Sequence, residues 1–420
     1  VKKAILIITF LLSLMACYHS SSAQTTLNEY LEIAARDNPG LKAKFNLYLA
    51  ALEKVDQQSV LPDPTLSFGY FISPVETRVG PQRFRLSVAQ MFPWMGTLKA
   101  REKAAASFAK AKFEIFEEAR NELFLQVKSK WLELYELQKE VQIMEENLSI
   151  LKSYEPVTKT KYEANLVSLA DLVRVQISID RAKTELDLLR LKEKPLRHDF
   201  NTLLHRNGET SVSINDTLVF ERTDLDFESV MGNQPKLKTI ESMMAVLEQE
   251  KVLVELGRKP NIGFGLEYGF IGRREGVSLS DNGMDILVPQ VNVSLPIFGK
   301  KNRSIKKEAD LKMKAKGFEL SAMKDQLRND WTSIAYEIES ARQTLALYSA
   351  EIKKTDVLLS VLISEYTNNN QDFEKLLETQ QRQLQLQLAQ VRTSVDYQKA
   401  VYKQEYLTGY TLNEIQNEIK

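Results

Sequence analysis

The feature that most constrains this chain is an internal duplication. Asn38-Pro39-Gly40-Leu41-Lys42 recurs as Gln234-Pro235-Lys236-Leu237-Lys238, and Pro64-Thr65-Leu66-Ser67-Phe68-Gly69 recurs as Pro260-Asn261-Ile262-Gly263-Phe264-Gly265. Further on, Phe92-Pro93-Trp94-Met95-Gly96 is matched by Leu295-Pro296-Ile297-Phe298-Gly299. Last, Tyr162-Glu163-Ala164-Asn165, with Leu172 and Gln176 behind it, is matched by Tyr366-Thr367-Asn368-Asn369, with Leu376 and Gln380. Four landmarks in one order define two copies of one unit, 24–208 and 226–409. An irregular link, 209–225, joins them, and a polar tail, 410–420, follows.

Each copy opens with an amphipathic helix, expected over 27–60 and 226–257 and stopped by Pro- and Gly-bearing segments. The period then changes to two. Ile262, Phe264, Leu266, Tyr268 and Phe270 alternate with Gly263, Gly265, Glu267 and Gly269, and Val291, Val293 and Leu295 alternate with Gln290, Asn292 and Ser294. In the first copy Leu66, Phe68, Tyr70 and Ile72 share a face with Phe84, Leu86 and Val88; Ser67, Gly69, Ser73, Arg83, Arg85 and Ser87 take the other. Two β-hairpins are predicted, 65–92 and 261–296, with polar loops at 74–82 and 272–285.

After each hairpin the period becomes seven. Phe113, Val127, Leu134, Val141 and Leu148 fall on one heptad position, and Phe116, Leu123, Leu137, Met144 and Leu151 on the other, with Arg120 and Lys130 as exceptions. Such a repeat implies left-handed supercoiling against neighbouring helices. A helix of about 65 residues at 1.5 Å per residue reaches roughly 100 Å. A return helix carries Leu172, Val175, Ile179, Ala182, Leu186 and Leu189, with Pro195 expected to interrupt it. The second copy repeats the pattern from about 300 to 366 and from 373 to 409. Only 16 Gly and 12 Pro punctuate 420 residues, as long elements require.

The N-terminus, Lys2-Lys3 followed by the apolar run Ala4 to Ala16 and then Ser21-Ser22-Ala23, reads as an export signal, 1–23. It is too short to span a bilayer as a helix, and no later segment reaches that length without charges. Cys17, the single cysteine, is the candidate lipidation site if a lipoprotein peptidase acts; cleavage after Ala23 removes it. No disulfide framework exists in either case. Lys+Arg and Asp+Glu balance at 56 each, so charge gives no case for nucleic acid as a partner.

Four strands of about 9 to 11 residues match tilted bilayer-crossing strands, with the apolar face toward lipid and the small, polar face toward water. Ser67, Arg85, Ser87, Glu267, Asn292 and Ser294 are then the expected pore lining. Backbone groups cannot stay unpaired in hydrocarbon, so the sheet must close. The smallest such barrels have about eight strands. Several subunits must therefore share one barrel; two would give eight strands and three would give twelve.

The duplicated hairpins, the strand exits Phe92-Pro93 and Leu295-Pro296, and the Tyr-led tips followed by Asp-Leu-x-x-x-Gln resemble the outer membrane efflux protein (TolC-like) family over essentially the whole mature chain. The resemblance implies a homotrimer, mainly α with membrane β. Its 12-stranded barrel, four strands per chain, would sit in outer-membrane lipid of a Gram-negative cell and continue as a long periplasmic α-helical coiled-coil barrel. It implies partners as well: a periplasmic adaptor and an inner-membrane pump, of the RND type by similarity to the heavy-metal branch. Adaptor docking is expected at the tips Asn165, Leu166, Val167 and Ser168, and Asn369, Asn370 and Asp372. The aperture is expected at Asp171, Lys375 and Glu378, with Lys375 and Glu378 able to pair one turn apart. Asn165 and Asn369 stand where the family has glycine; Asn tolerates the left-handed turn.

An enzyme has little support. His198 and His205 lie about 10 Å apart along one helix, too far to share a metal, and no phosphate loop, H-E-x-x-H or G-x-S-x-G occurs. No cofactor is expected. The leading expectation is a passive exit duct for small molecules or metal ions. Its alternatives are the duct of a type I protein secretion system and a soluble periplasmic coiled-coil adaptor.

Overall fold

The computed structural model describes residues 26–214, 218, 227, 231–276, 278–297, 299–369 and 373–409. The expected signal segment with Cys17, Asn370 and Asp372 of the second tip, most of the link beyond residue 214, Phe298 and the tail lie outside them. In chain order the elements are α1 (Leu27–Asp37), α2 (Pro39–Ser59), β1 (Thr65–Thr77), β2 (Gly80–Phe92), α3 (Thr97–Glu163), α4 (Leu169–Leu203), α5 (Pro235–Leu256), β3 (Asn261–Ile271), β4 (Ile286–Ser294), α6 (Gly299–Asn369) and α7 (Phe373–Thr408). Among the described residues the chain is mainly helical with four strands. Its residues gather in two compact units, one of 43–118 and 232–327, the other of 1–42, 119–231 and 328–420. Both sequence copies feed both units.

In the first unit the strands form one antiparallel sheet in the order β1-β2-β3-β4. The first loop is far shorter than the expected 74–82, because β1 runs to Thr77 and only Arg78 and Val79 separate it from β2. Pro74 survives in the strand because it sits where the register shifts between Tyr70 and Val75, so no ladder N–H is lost there. Gly80 adopts φ +133°, and a Cβ on it would fall 1.9 Å from the Gly272 carbonyl oxygen. Only glycine fits there. Beside the sheet, Phe45 and Tyr48 of α2 pack on Phe116 and Phe113 of α3, each at 5.3 Å between ring centroids.

Among its described residues the second unit is built from helices alone. The expected helix over 27–60 breaks here, at Asn38, whose extended ψ of 122° follows from the proline after it. The Asn38 side chain holds the break, donating to the Leu203 carbonyl at 3.0 Å and accepting from the Leu41 N–H at 3.1 Å. Pro195 does not interrupt α4, and Pro156 does not interrupt α3; both helices run through. The heptad residues Leu123, Val127, Leu134, Leu137, Met144, Leu148 and Leu151 are buried. Of these, Met144, Leu148 and Leu151 meet Val175, Ile179, Ala182 and Leu186 of α4 and Phe373, Leu376, Leu384 and Leu388 of α7 in one core. The exception Lys130 turns outward, to Glu133 at 2.8 Å and Asp199 at 3.8 Å.

Candidate functional site

Strand register sorts the sheet into two chemically different faces. On one, Leu66, Val88, Leu266 and Pro289 form a row, followed by Phe68, Leu86, Tyr268 and Leu287. Leu66 is 67% exposed, Phe68 68% and Ile72 93%. None of the described residues covers these side chains.

The other face carries Ser67, Ser87 and Glu267 in one row and Gly69, Arg85 and Gly269 in the next; Asn292 pairs with Gly263 and Ser294 with Asn261. All six sequence-selected wall residues therefore fall on one face. Arg85 reaches Glu267 at 3.8 Å, and Gln290 donates to the same carboxylate at 3.0 Å. The face is kept low by its glycines. A Cβ at Gly69 would meet Arg85 Cγ at 3.4 Å, one at Gly263 would meet Met91 Sδ at 3.3 Å, and one at Gly269 would meet Gln82 Nε2 at 2.8 Å. Long side chains of β2 thus lie flat over the glycines of their neighbours. The period-two pattern places Gln290 and Met91 on this face too, and the register shift between Gln82 and Phe84 brings Gln82 onto it, although sequence reading did not select Gln82 or Met91.

At one end of the helical unit, α3 closes with Asn165 at φ +58°. The Leu166 N–H returns to the Lys161 carbonyl at 2.8 Å and the Asn165 N–H to Tyr162 at 2.9 Å, a Schellman closure with Asn at the left-handed position. Ser168 then caps α4. Its hydroxyl accepts from the Asp171 N–H at 3.3 Å, while the Asp171 carboxylate accepts from the Ser168 N–H at 3.0 Å. Asp171 is therefore the second half of a capping box, which the spacing Ser168-x-x-Asp171 encodes directly.

Lys375 and Glu378 are exposed, and no ion pair joins them among the described residues. The charge network uses other groups: Arg174 reaches Asp171 at 3.3 Å and Glu374 at 3.2 Å, linking the first copy's tip to the second's. Nearby, Lys161 donates to the Tyr366 carbonyl and sits 4.4 Å from the centroid of that ring. The Tyr366 hydroxyl contacts Thr158 at 3.3 Å, and burial pushes it above the ordinary phenol range. Leu166 and Leu169 stand out from the turn, 52% and 55% exposed.

Among the described residues no group of three or more His, Cys, Asp or Glu side chains could hold a metal, and no helix is long and apolar enough to cross a membrane. No protein-family model matches the chain, and no curated protein sequence matches it. Solved structures do. The outer membrane protein VceC of Vibrio cholerae aligns with a TM-score of 0.76 at 14% identity, over 92% of this chain and 96% of its own. CusC, described in connection with transmembrane channel formation, aligns at 0.78 and 12%, over 92% and 93%. The outer membrane channel CmeC of Campylobacter jejuni gives 0.75 and 14%, over 94% and 89%.

The chain has the fold of an outer-membrane channel subunit.

Proposed function

We propose that this chain is one subunit of a trimeric exit duct of a tripartite efflux system, seated in the outer membrane with its helices in the periplasm. One observation carries the reading. A four-stranded sheet with one face mainly apolar and left uncovered by the described residues has unpaired edges at β1 and β4. In hydrocarbon those edges must pair, and neighbouring copies supply the complementary strands. Three chains give twelve strands, in keeping with the channels whose fold it shares.

In this reading Ser67, Arg85, Ser87, Glu267, Asn292 and Ser294 line the aqueous bore. The exposed turn Asn165–Ser168 and its second-copy counterpart face a periplasmic adaptor, itself bound to an inner-membrane pump of the RND type. Asp171, Arg174 and Glu374 lie at the periplasmic aperture, joined there by Lys375 and Glu378. The first domain boundary is the end of the signal at residue 23, and the equatorial link is 209–225. The cargo is small molecules or metal ions, passing without catalysis.

Fractionation and electrophoresis test it. The chain should be recovered in outer membranes as a heat-sensitive trimer on mild gels and should conduct ions in planar bilayers. Recovery in the soluble periplasm, or as a monomer only, would sink the proposal.

A further inference from the structure

The two ends of the sheet differ in how their charges are settled. At the hairpin-loop end two cations are matched within the chain: Arg78 pairs with Asp281, and Arg274 meets Glu76 at 2.6 Å and the Thr77 carbonyl at 2.8 Å. Backbone bonds from Gly272 to Pro81, 2.7 Å, and from Gly283 to Val79, 2.6 Å, tie the two loops together.

The opposite end, where the strands join the helices, is not settled. Register puts the beginning of β1, the end of β2, the beginning of β3 and the end of β4 there, since Thr65 pairs with Ala89, Phe92 with Ile262 and Asn261 with Ser294. The Trp94 N–H donates to Asn261 at 3.3 Å, fixing the β2 exit beside the β3 entry. Within about ten residues of these strand ends the sequence places ten Lys and Arg against five Asp and Glu. One of those acids, Glu255, is already engaged by Lys306 and Arg258, and Glu308, further along α6, is engaged by Lys312.

Lys99, Arg101 and Lys103 at the start of α3, and Lys300, Lys301 and Arg303 at the start of α6, are all exposed, and no ion pair is formed by them among the described residues. Neither helix has an acid in its first turn. Cations there oppose the helix macrodipole, so the local structure disfavours this arrangement and an external negative charge would relieve it. Between the sheet and the cations stand Trp94, Met95, Leu295 and Ile297, with Met95 88% and Ile297 75% exposed. Apolar and aromatic anchors beside a basic belt are the composition that a lipid–water interface selects.

From this juxtaposition we infer that the helix-side foot of the sheet binds anionic phospholipid headgroups of the leaflet it emerges from. The inference rests on the proposed seating of the sheet in a bilayer. The cations hold the phosphates of the headgroups while Trp94, Leu295 and Ile297 set the depth of the foot in the acyl boundary. The loop end, where Arg78 and Arg274 are each paired with an acid of the same chain, makes less of that demand.

The test is titration of the detergent-purified channel with short-chain phosphatidylglycerol, with phosphatidylcholine of the same chain length and with inorganic phosphate. The wild type and Lys300→Gln/Lys301→Gln/Arg303→Gln are compared, with Arg78→Gln as the loop-end control. Each removed cation is expected to weaken phosphatidylglycerol binding about fivefold, so roughly 100-fold for three, with phosphatidylcholine binding unchanged and the control like wild type. Equal phosphatidylglycerol binding by the triple variant overturns the inference. Inorganic phosphate binding as tightly as the lipid, or a triple variant that loses only adaptor binding, overturns it as well. A chain that never enters the membrane fraction refutes instead the function on which it rests.

Discussion

Lys128 of α3 and Glu405 of α7 meet at 2.6 Å with only 10% and 4% of their side chains exposed. The ammonium also lies 4.9 Å from the centroid of the Tyr402 ring. These positions are 277 apart in sequence, so the pair fixes how the first copy's long helix aligns with the second copy's return helix. Removing one partner leaves a buried charge unmatched. Lys128→Met should therefore cost about 3–5 kcal/mol, whereas Lys128→Met combined with Glu405→Leu should recover most of it. Denaturant unfolding of the two variants, read by helical circular dichroism, measures the difference.

The turn at the tip offers a sharper local probe. Asn165 holds φ +58°, a conformation that β-branched residues resist and glycine adopts freely. Asn165→Val should lose about 1–2 kcal/mol of local stability, and Asn165→Gly should be neutral or slightly stabilising. Ser168→Ala removes the cap on α4 and should cost about 1 kcal/mol. Amide hydrogen exchange at residues 169–173 reads each change where it occurs.

Much of this architecture was legible because periodicity survives without knowledge of partners. The heptad positions from Leu123 to Leu151 and the alternation in β3 each depend on which side of an element meets apolar neighbours, and sequence spacing reports that directly. Asn165 was legible for a different reason, since few residues tolerate its backbone conformation. Pairings between distant elements were not: nothing in the vicinity of Arg174 announces Glu374, and Lys375 looked the better candidate only because it sits at the matching repeat position. The short first turn was missed because Pro74 reads as a loop residue until a register shift is seen to accommodate it. Asp171 was selected for its charge, although its spacing from Ser168 already announced a helix cap.

The two faces of the sheet should respond oppositely to charge. Phe264 pairs with Val291 on the uncovered apolar face, and Gly263 pairs with Asn292 on the other. A charge at Phe264 is placed in hydrocarbon if the sheet spans a bilayer, and an arginine at mid-membrane costs about 2–4 kcal/mol per chain. Phe264→Arg and Phe264→Asp should therefore lower trimer yield in outer membranes, whereas Asn292→Arg should leave yield intact and alter single-channel conductance. Gly265→Arg tests the wall differently, since its Cβ would sit 3.2 Å from the Val88 carbonyl oxygen and 3.5 Å from Ala89 Cβ. It should impair assembly through crowding. Normal yield with both Phe264 variants would mean that the faces are assigned the wrong way round.

The helical unit should also carry a pH signature, located at Glu136. Burial raises the affinity of this carboxyl for its proton, and the neighbouring Glu140 adds to the shift, outweighing the opposing pull of Lys399 and Arg392. Arg392 favours Glu140, at 2.6 Å, over Glu136, at 3.9 Å, so the guanidinium neutralises one acid and leaves the other disfavoured. With its folded pKa above the unfolded value, Glu136 binds more protons in the native state than in the unfolded chain. Its contribution to stability is therefore most favourable below the ordinary carboxylate range and is lost as pH rises through the folded pKa. Glu136→Gln keeps the shape and removes the charge, so it should stabilise the unit at pH 7.5 and have little effect at pH 4. Denaturant midpoints of wild type and variant at the two pH values should diverge at the higher one; a constant difference across the range would assign the effect to packing rather than to titration.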